Sequence, residues 1–216
     1  MSGGKLWRVG HRLHPLGFTP HDLCQWSQRF DDAERRFHTV YCAEQPATSL
    51  REVLADFRPN LAAIQAFLGA FGPEASVELV AQPVTARWRE EHALAPAEAR
   101  LDGPLIDLTD IEVRGELEER HRGLLIEHGL EHLDLHEITT RRRAITQAIA
   151  TDVYDRLGAG AVRFPSRLDG NPCVAVFEGH GRADRRRSTR CVDRSRARCS
   201  AGGLHGVGAG AGAGLT

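Results

Sequence analysis

Leu50, Val53, Leu54 and Phe57 recur at i, i+3, i+4 and i+7, the spacing that lines one face of a helix. Ser49 and Glu52 stand in S-x-x-E relation at the head of that stripe, which predicts a capping-box start, and Pro59 predicts the stop. A second helix is expected from the cap Asn60 through Leu61, Ile64, Phe67 and Leu68 to Gly69 or Gly72. The β-rich run HTVYCA at 38–43 precedes the pair, and a short strand is expected around 77–80. Residues 84–104 are charged, alanine-rich and interrupted by proline, so they predict broken helix and loop with a turn at Asp102, Gly103 and Pro104. Residues 111–128 predict a helix with Leu117, Leu124 and Leu125 on one side and Gly129 as its stop. The alternation from His132 to Ile138 predicts a half-exposed strand. Thr140 is expected to cap a helix with the stripe Ile145, Ala148, Ile149, Val153 and Leu157, closed by Gly158. A strand at 161–165, a turn through Asp169, Gly170, Asn171 and Pro172, and a strand at 173–178 predict a hairpin. Its second strand is apolar on both faces and should be central in its sheet. Strands and helices mix without a regular βαβ period, which predicts an α+β fold.

After Gly179 the pattern breaks down into Arg, Gly and Ala, ending in a Gly-Ala repeat. Two parts are therefore expected: an ordered domain over 1–179, and a disordered tail over 180–216 that buries too little to offset its ordering entropy. The tail carries eight Arg against two Asp, a net +6, which leaves −7 on the residues before it, although the whole chain of 216 residues sums to −1. An abrupt change of this kind is what a frameshift or an eroded end would leave. Of the 28 basic residues only Lys5 is a lysine, so the cations are planar guanidinium groups suited to carboxylates and phosphates.

A hydrophobic content of 41% and a charged content of 26% exclude collagen-like and wholly disordered classes. No apolar stretch approaches the ~18–20 residues of a membrane span and no signal-peptide core is present, so a soluble, cytoplasmic protein without membrane association is expected. Five cysteines without a CxxC predict neither a disulfide framework nor a zinc ribbon, and Cys42 and Cys173 read as small buried hydrophobes. His132, Asp134 and His136 would share a strand face near His121, His128 and Glu131. Without an HExxH this is a solvated edge more readily than a metal centre, and no metal is expected. The tail arginines come without an aromatic platform, a helix-turn-helix or finger spacing, so direct nucleic-acid binding is not expected.

Four polar residues stand at the ends or edges of predicted elements. They are Arg29 in the run Arg29-Phe30-Asp31-Asp32, Tyr41 in TVYCAE, Glu52 in TSLREVL and Ser166 in RFPSRLDG. Taken singly, each has an ordinary structural reading: surface arginine, strand aromatic, capping carboxylate, turn serine. Their joint order and spacing, with LDGPLIDLTD, RRRAITQAIA and VAVFEG, resembles the RES-domain family, the toxin half of RES-Xre toxin-antitoxin pairs, over roughly residues 5–179. The resemblance implies an ADP-ribosyltransferase-like fold with a mixed, largely antiparallel sheet and flanking helices. It further implies an enzyme that consumes NAD⁺ as substrate, with no separate cofactor, by cleaving the nicotinamide-ribose bond through hydrolysis or phosphorolysis. The alternatives are ADP-ribosyl transfer to a protein, or an inactive remnant with a nucleic-acid-binding tail. Carried over by position, Glu52, Arg29 and Tyr41 are the expected catalytic residues, and Arg29, Tyr41 and Ser166 those that bind NAD⁺. Glu52 would stabilise an oxocarbenium-like ribose, Arg29 would grip the pyrophosphate, Tyr41 would face the cationic nicotinamide, and Ser166 would donate to phosphate or ribose. The implied partner is a separate Xre-like antitoxin, with both a homodimer and a hetero-oligomer left open.

Overall fold

The computed structural model describes residues 5–74, 83–140 and 142–185. Among them, β1 (Leu6–His11), β2 (Thr39–Ala43), β3 (His92–Leu101), β4 (Leu105–Asp107), β5 (Ala161–Pro165), β6 (Pro172–Phe177) and β7 (Gly181–Arg185) form one sheet. Its order is β4-β5-β6-β2-β1-β3-β7. β4 and β5 pair in parallel and the other neighbours are antiparallel. The helices are α1 (Pro46–Leu54), α2 (Leu61–Phe71), α3 (Ala86–Glu91), α4 (Ile111–Glu127), α5 (Leu135–Thr139) and α6 (Arg143–Leu157). The fold is α+β, a mixed and mostly antiparallel sheet flanked by helices.

β6 is central, as its two apolar faces require. Cys173, Ala175 and Phe177 point into a core shared with Phe30, Phe37, Leu117, Ile138, Ile145, Ile149 and Val153, on the side where α4 and α5 pack against α6. Val174 and Val176 point the other way, to Leu6, Val40, Cys42, Ala97 and Ala183. Alternation with both sides covered is what a doubly buried strand shows. The β5–β6 hairpin pairs from Ala161↔Val176 to Pro165↔Pro172. Asn60 caps α2 by accepting from the Ala62 and Ala63 N–H groups, and Gly158 closes α6 in the left-handed region at φ 58°.

Several expectations differ from the structure. The capping box at Ser49 does not form, because α1 begins three residues earlier at Pro46, a residue already suited to the first helical turn. Ser49 is instead buried inside α1 and its Oγ accepts the Val9 N–H at 3.1 Å, pinning the helix to β1. Residues 84–104 hold the short helix α3, in keeping with the broken helix expected there, but the ten-residue β3 takes the place of the expected loop. Tertiary pairing overrides the weak strand propensity of alanine here, since β3 is held on both edges by β1 and β7. His132–Ile138 is not a strand: Leu135–Thr139 is helical, so His132, Asp134 and His136 share no strand face. His132 instead lies 3.2 Å from Glu118 and His121 lies 3.6 Å from Asp152. Among the described residues, no group of three or more His, Cys, Asp or Glu side chains is placed to hold a metal ion. Thr140 does not cap α6, whose flanking residue is Arg142, and the buried stripe runs through Ile145, Thr146, Ile149, Ala150 and Val153 while Leu157 is exposed.

The sheet also continues past Gly179. β7 pairs with β3 from Ala97↔Arg185 to Leu101↔Gly181, and Ala183 is buried. A Cβ on Gly160 would sit 2.6 Å from the His180 carbonyl oxygen, so the chain entering β7 runs against the start of β5 at a distance only glycine permits. The strand expected at 77–80 and the disorder expected over 186–216 lie outside the described residues.

Candidate active site

The segment between β1 and β2 is irregular apart from one 3-10 turn at His21–Leu23, and it is fixed by Phe30, which is fully buried against Phe164 at 4.7 Å between ring centres. The Phe30 N–H donates to Tyr41 Oη at 2.7 Å, and Thr39 Oγ1 donates to the Phe30 carbonyl at 2.9 Å. These contacts lock the preceding residue, Arg29, in place. Arg29 is buried, lies 5.9 Å from the centre of the Phe164 ring, and its Nη1 donates to the carbonyls of Ile138 and, at 3.1 Å, Thr140. One arm of this guanidinium therefore holds the end of α5, where carbonyls lack helical partners. Burial and the neighbouring Arg143 lower its pKa to about 10.

Tyr41 points from β2 toward this segment, with its hydroxyl also 3.4 Å from Asp31 Oδ1. Burial, then the Asp31 charge, pushes the phenol well above its ordinary value, so it stays neutral. Glu52 projects from α1. Its Oε1 accepts the hydroxyl of Ser166 at 2.5 Å, and Ser166 Oγ in turn accepts the Leu168 N–H at 3.1 Å. Ser166 follows directly on β5 and is almost completely buried.

Arg29, Tyr41 and Glu52 line a single cleft of about 460 Å³. Ser166 stands behind Glu52 and does not contribute to the wall, so its hydroxyl holds the carboxylate rather than facing the hollow. Other residues of the wall were not singled out by the sequence. Asp31, two residues after Arg29, is buried and accepts the Gln28 N–H at 2.8 Å, and burial raises its pKa. The one signal for it was its place directly after the Arg29-Phe30 pair. Its neighbour Asp32 turns away from the cleft to Arg36 and Thr151. Trp26 lines the cleft in the left-handed region at φ 55° and stacks on His38 at 4.7 Å. His38 is tied by Nδ1 to Glu178 at 2.5 Å. Arg143, from the first turn of α6, and Arg167 complete the wall with Arg8. Arg143 and Arg167 lie within the RRRAITQAIA and RFPSRLDG stretches, but the sequence did not single them out as site residues, and nothing local marks Arg8.

A family model described as the RES domain matches residues 5–196. The chain belongs to the RES-domain family. The match runs beyond Gly179, so β7 is part of the RES domain, in keeping with its place in the sheet. No curated protein matches the chain. Among solved structures, a chain of the crystal structure of the M. tuberculosis MbcT-MbcA toxin-antitoxin complex is 15% identical, with a TM-score of 0.48, covering 85% of this RES domain chain and 82% of that one.

Proposed function

We propose that this RES domain is the toxin of a toxin-antitoxin pair and consumes NAD⁺ by breaking the nicotinamide-ribose bond in the cleft. The observation that carries the reading is the convergence of Glu52, Arg29 and Tyr41, from three separate parts of the chain, on one hollow. A cavity of this size lies within the range of small-ligand and cofactor sites. Departure of nicotinamide leaves positive charge on the ribose, and a carboxylate held in advance stabilises that charge without reorganising. Ser166 supplies the hold on Glu52 and leaves its second oxygen for the ribose. Tyr41, a neutral phenol, offers an aromatic wall to the cationic ring. The arginines supply positive potential for the diphosphate within a domain that is acidic overall. NAD⁺ is thus substrate, not resident cofactor. Among the described residues no helix is long and apolar enough to cross a membrane, and the reading places the protein in the cytoplasm beside an Xre-like antitoxin that covers the cleft.

The test follows nicotinamide release from NAD⁺ by the purified chain, in buffer with and without phosphate. Release by the parent and a fall of ~10²- to 10³-fold in folded Glu52→Gln is the expected result. A parent inert in both buffers, or a Glu52→Gln variant as active as the parent, rejects it.

A further inference from the structure

Arg143 is the first residue of α6, and its setting in the free protein is unfavourable on three counts. It places a cation at the positive end of a fifteen-residue helix, where the dipole opposes it. It lies close enough to Arg29 for like-charge repulsion to act between them. Its Nη1 is buried and has no hydrogen-bond partner among the described residues, a rare and costly state for a charged donor. The other cleft arginines differ. Arg8 Nη1 donates to the carbonyls of Pro15 and Gly17, Arg29 Nη1 donates to those of Ile138 and Thr140, and Arg167 is exposed. Arg143 is therefore a half-buried guanidinium of the cleft wall that is not committed to a protein carbonyl among the described residues. An anion in the hollow would offset both the dipole and the repulsion from Arg29, and a turn of the guanidinium would bring the unpartnered donor to it.

We propose that Arg143 is the principal grip on the diphosphate of the dinucleotide, with Arg29 chiefly fixing the wall from which that grip extends. The inference rests on the reading of the cleft as an NAD⁺ site. It differs from the sequence expectation, which gave the diphosphate to Arg29.

The test uses the full chain and two variants, Arg143→Met, which keeps the apolar stem, and Arg143→Lys. Inorganic pyrophosphate is expected to raise the Tm of the parent, to raise that of Arg143→Lys less, and to leave Arg143→Met unmoved. Without ligand, Arg143→Met should melt no lower than the parent, because it loses an uncompensated charge. In kinetics, Arg143→Met should raise KM for NAD⁺ roughly 10- to 100-fold with kcat little changed. It should leave KM for nicotinamide riboside, which lacks the diphosphate, as it was. Equal stabilisation of parent and Arg143→Met by pyrophosphate, or none of the parent, overturns the proposal. So does a lower Tm for ligand-free Arg143→Met, which would mean that the guanidinium has a protein partner. A parent that binds pyrophosphate through Arg143 but releases no nicotinamide would reject the NAD⁺ reading and keep the anion site.

Discussion

Glu52 and Ser166 work as one unit at the level of single side chains, because the serine hydroxyl is engaged by the carboxylate and by the Leu168 N–H. Removing the hydroxyl frees Glu52 to rotate without altering the cleft wall. Ser166→Ala is therefore expected to lower kcat for nicotinamide release roughly 10-fold. Combined with Glu52→Gln it should add almost nothing to the loss from Glu52→Gln alone, since its effect passes through the carboxylate. Additive losses in this double-mutant cycle would show that Ser166 meets the substrate on its own account. The sequence pointed to Arg29, Tyr41, Glu52 and Ser166 through an order along the chain that resembles a family pattern, and the structure brings the first three to one cleft. Trp26 was not singled out, nor were Asp31 and Arg143, although both stand inside stretches that carry the resemblance. An arginine with an orphan donor differs from its neighbours only through burial and contacts, and neither exists before the chain folds.

At the scale of elements, catalysis would depend on how α1, which carries Glu52, docks on the β5–β6 turn, which follows Ser166. Asp169 in that turn accepts from Thr48 Oγ1 at 2.9 Å and Arg51 Nη1 at 2.7 Å on α1, and from the Asn171 N–H at 3.2 Å. Burial alone would raise its pKa, but the bonds from Arg51, Thr48 and Asn171 outweigh burial and hold it far below the ordinary 3.8. A carboxyl depressed on folding contributes stability that is present above its unfolded pKa of about 4 and is lost as pH falls through the folded value. Asp169→Asn should thus melt below the parent near neutral pH, with the gap narrowing once the pH drops under about 4. Thermal melts across that range check it, and a gap independent of pH would show that the carboxylate charge is not what holds α1. The hairpin was readable from its turn residues and doubly apolar strand. α1 was readable as a helix but not in its start, because Ser49 and Glu52 fit a capping box equally well as one interior turn. β3 was hidden by proline and alanine, whose strand conformation comes from pairing with β1 and β7 on either side. The seven residues from His132 were too few for their alternation to separate strand from helix.

Across the whole molecule, the acidic body and the arginine-lined cleft have opposite character, and a single net charge conceals it. The composition break after Gly179 suggested that the sheet ended there, yet Gly181–Arg185 closes its edge with Ala183 in the core. Short strands with alternating arginine carry little apolar signal, and their place is set by the partner strand. The fold thus gathers a carboxylate, a neutral phenol and several guanidinium groups from distant segments around one hollow, and the central claim is that NAD⁺ is cleaved there. The most direct measurement is a crystal structure of the Glu52→Gln variant with NAD⁺ bound. The expected result is the nicotinamide-ribose bond beside residue 52 and the diphosphate against Arg143. A dinucleotide bound elsewhere, or a cleft that stays without it at saturating NAD⁺, would contradict the account.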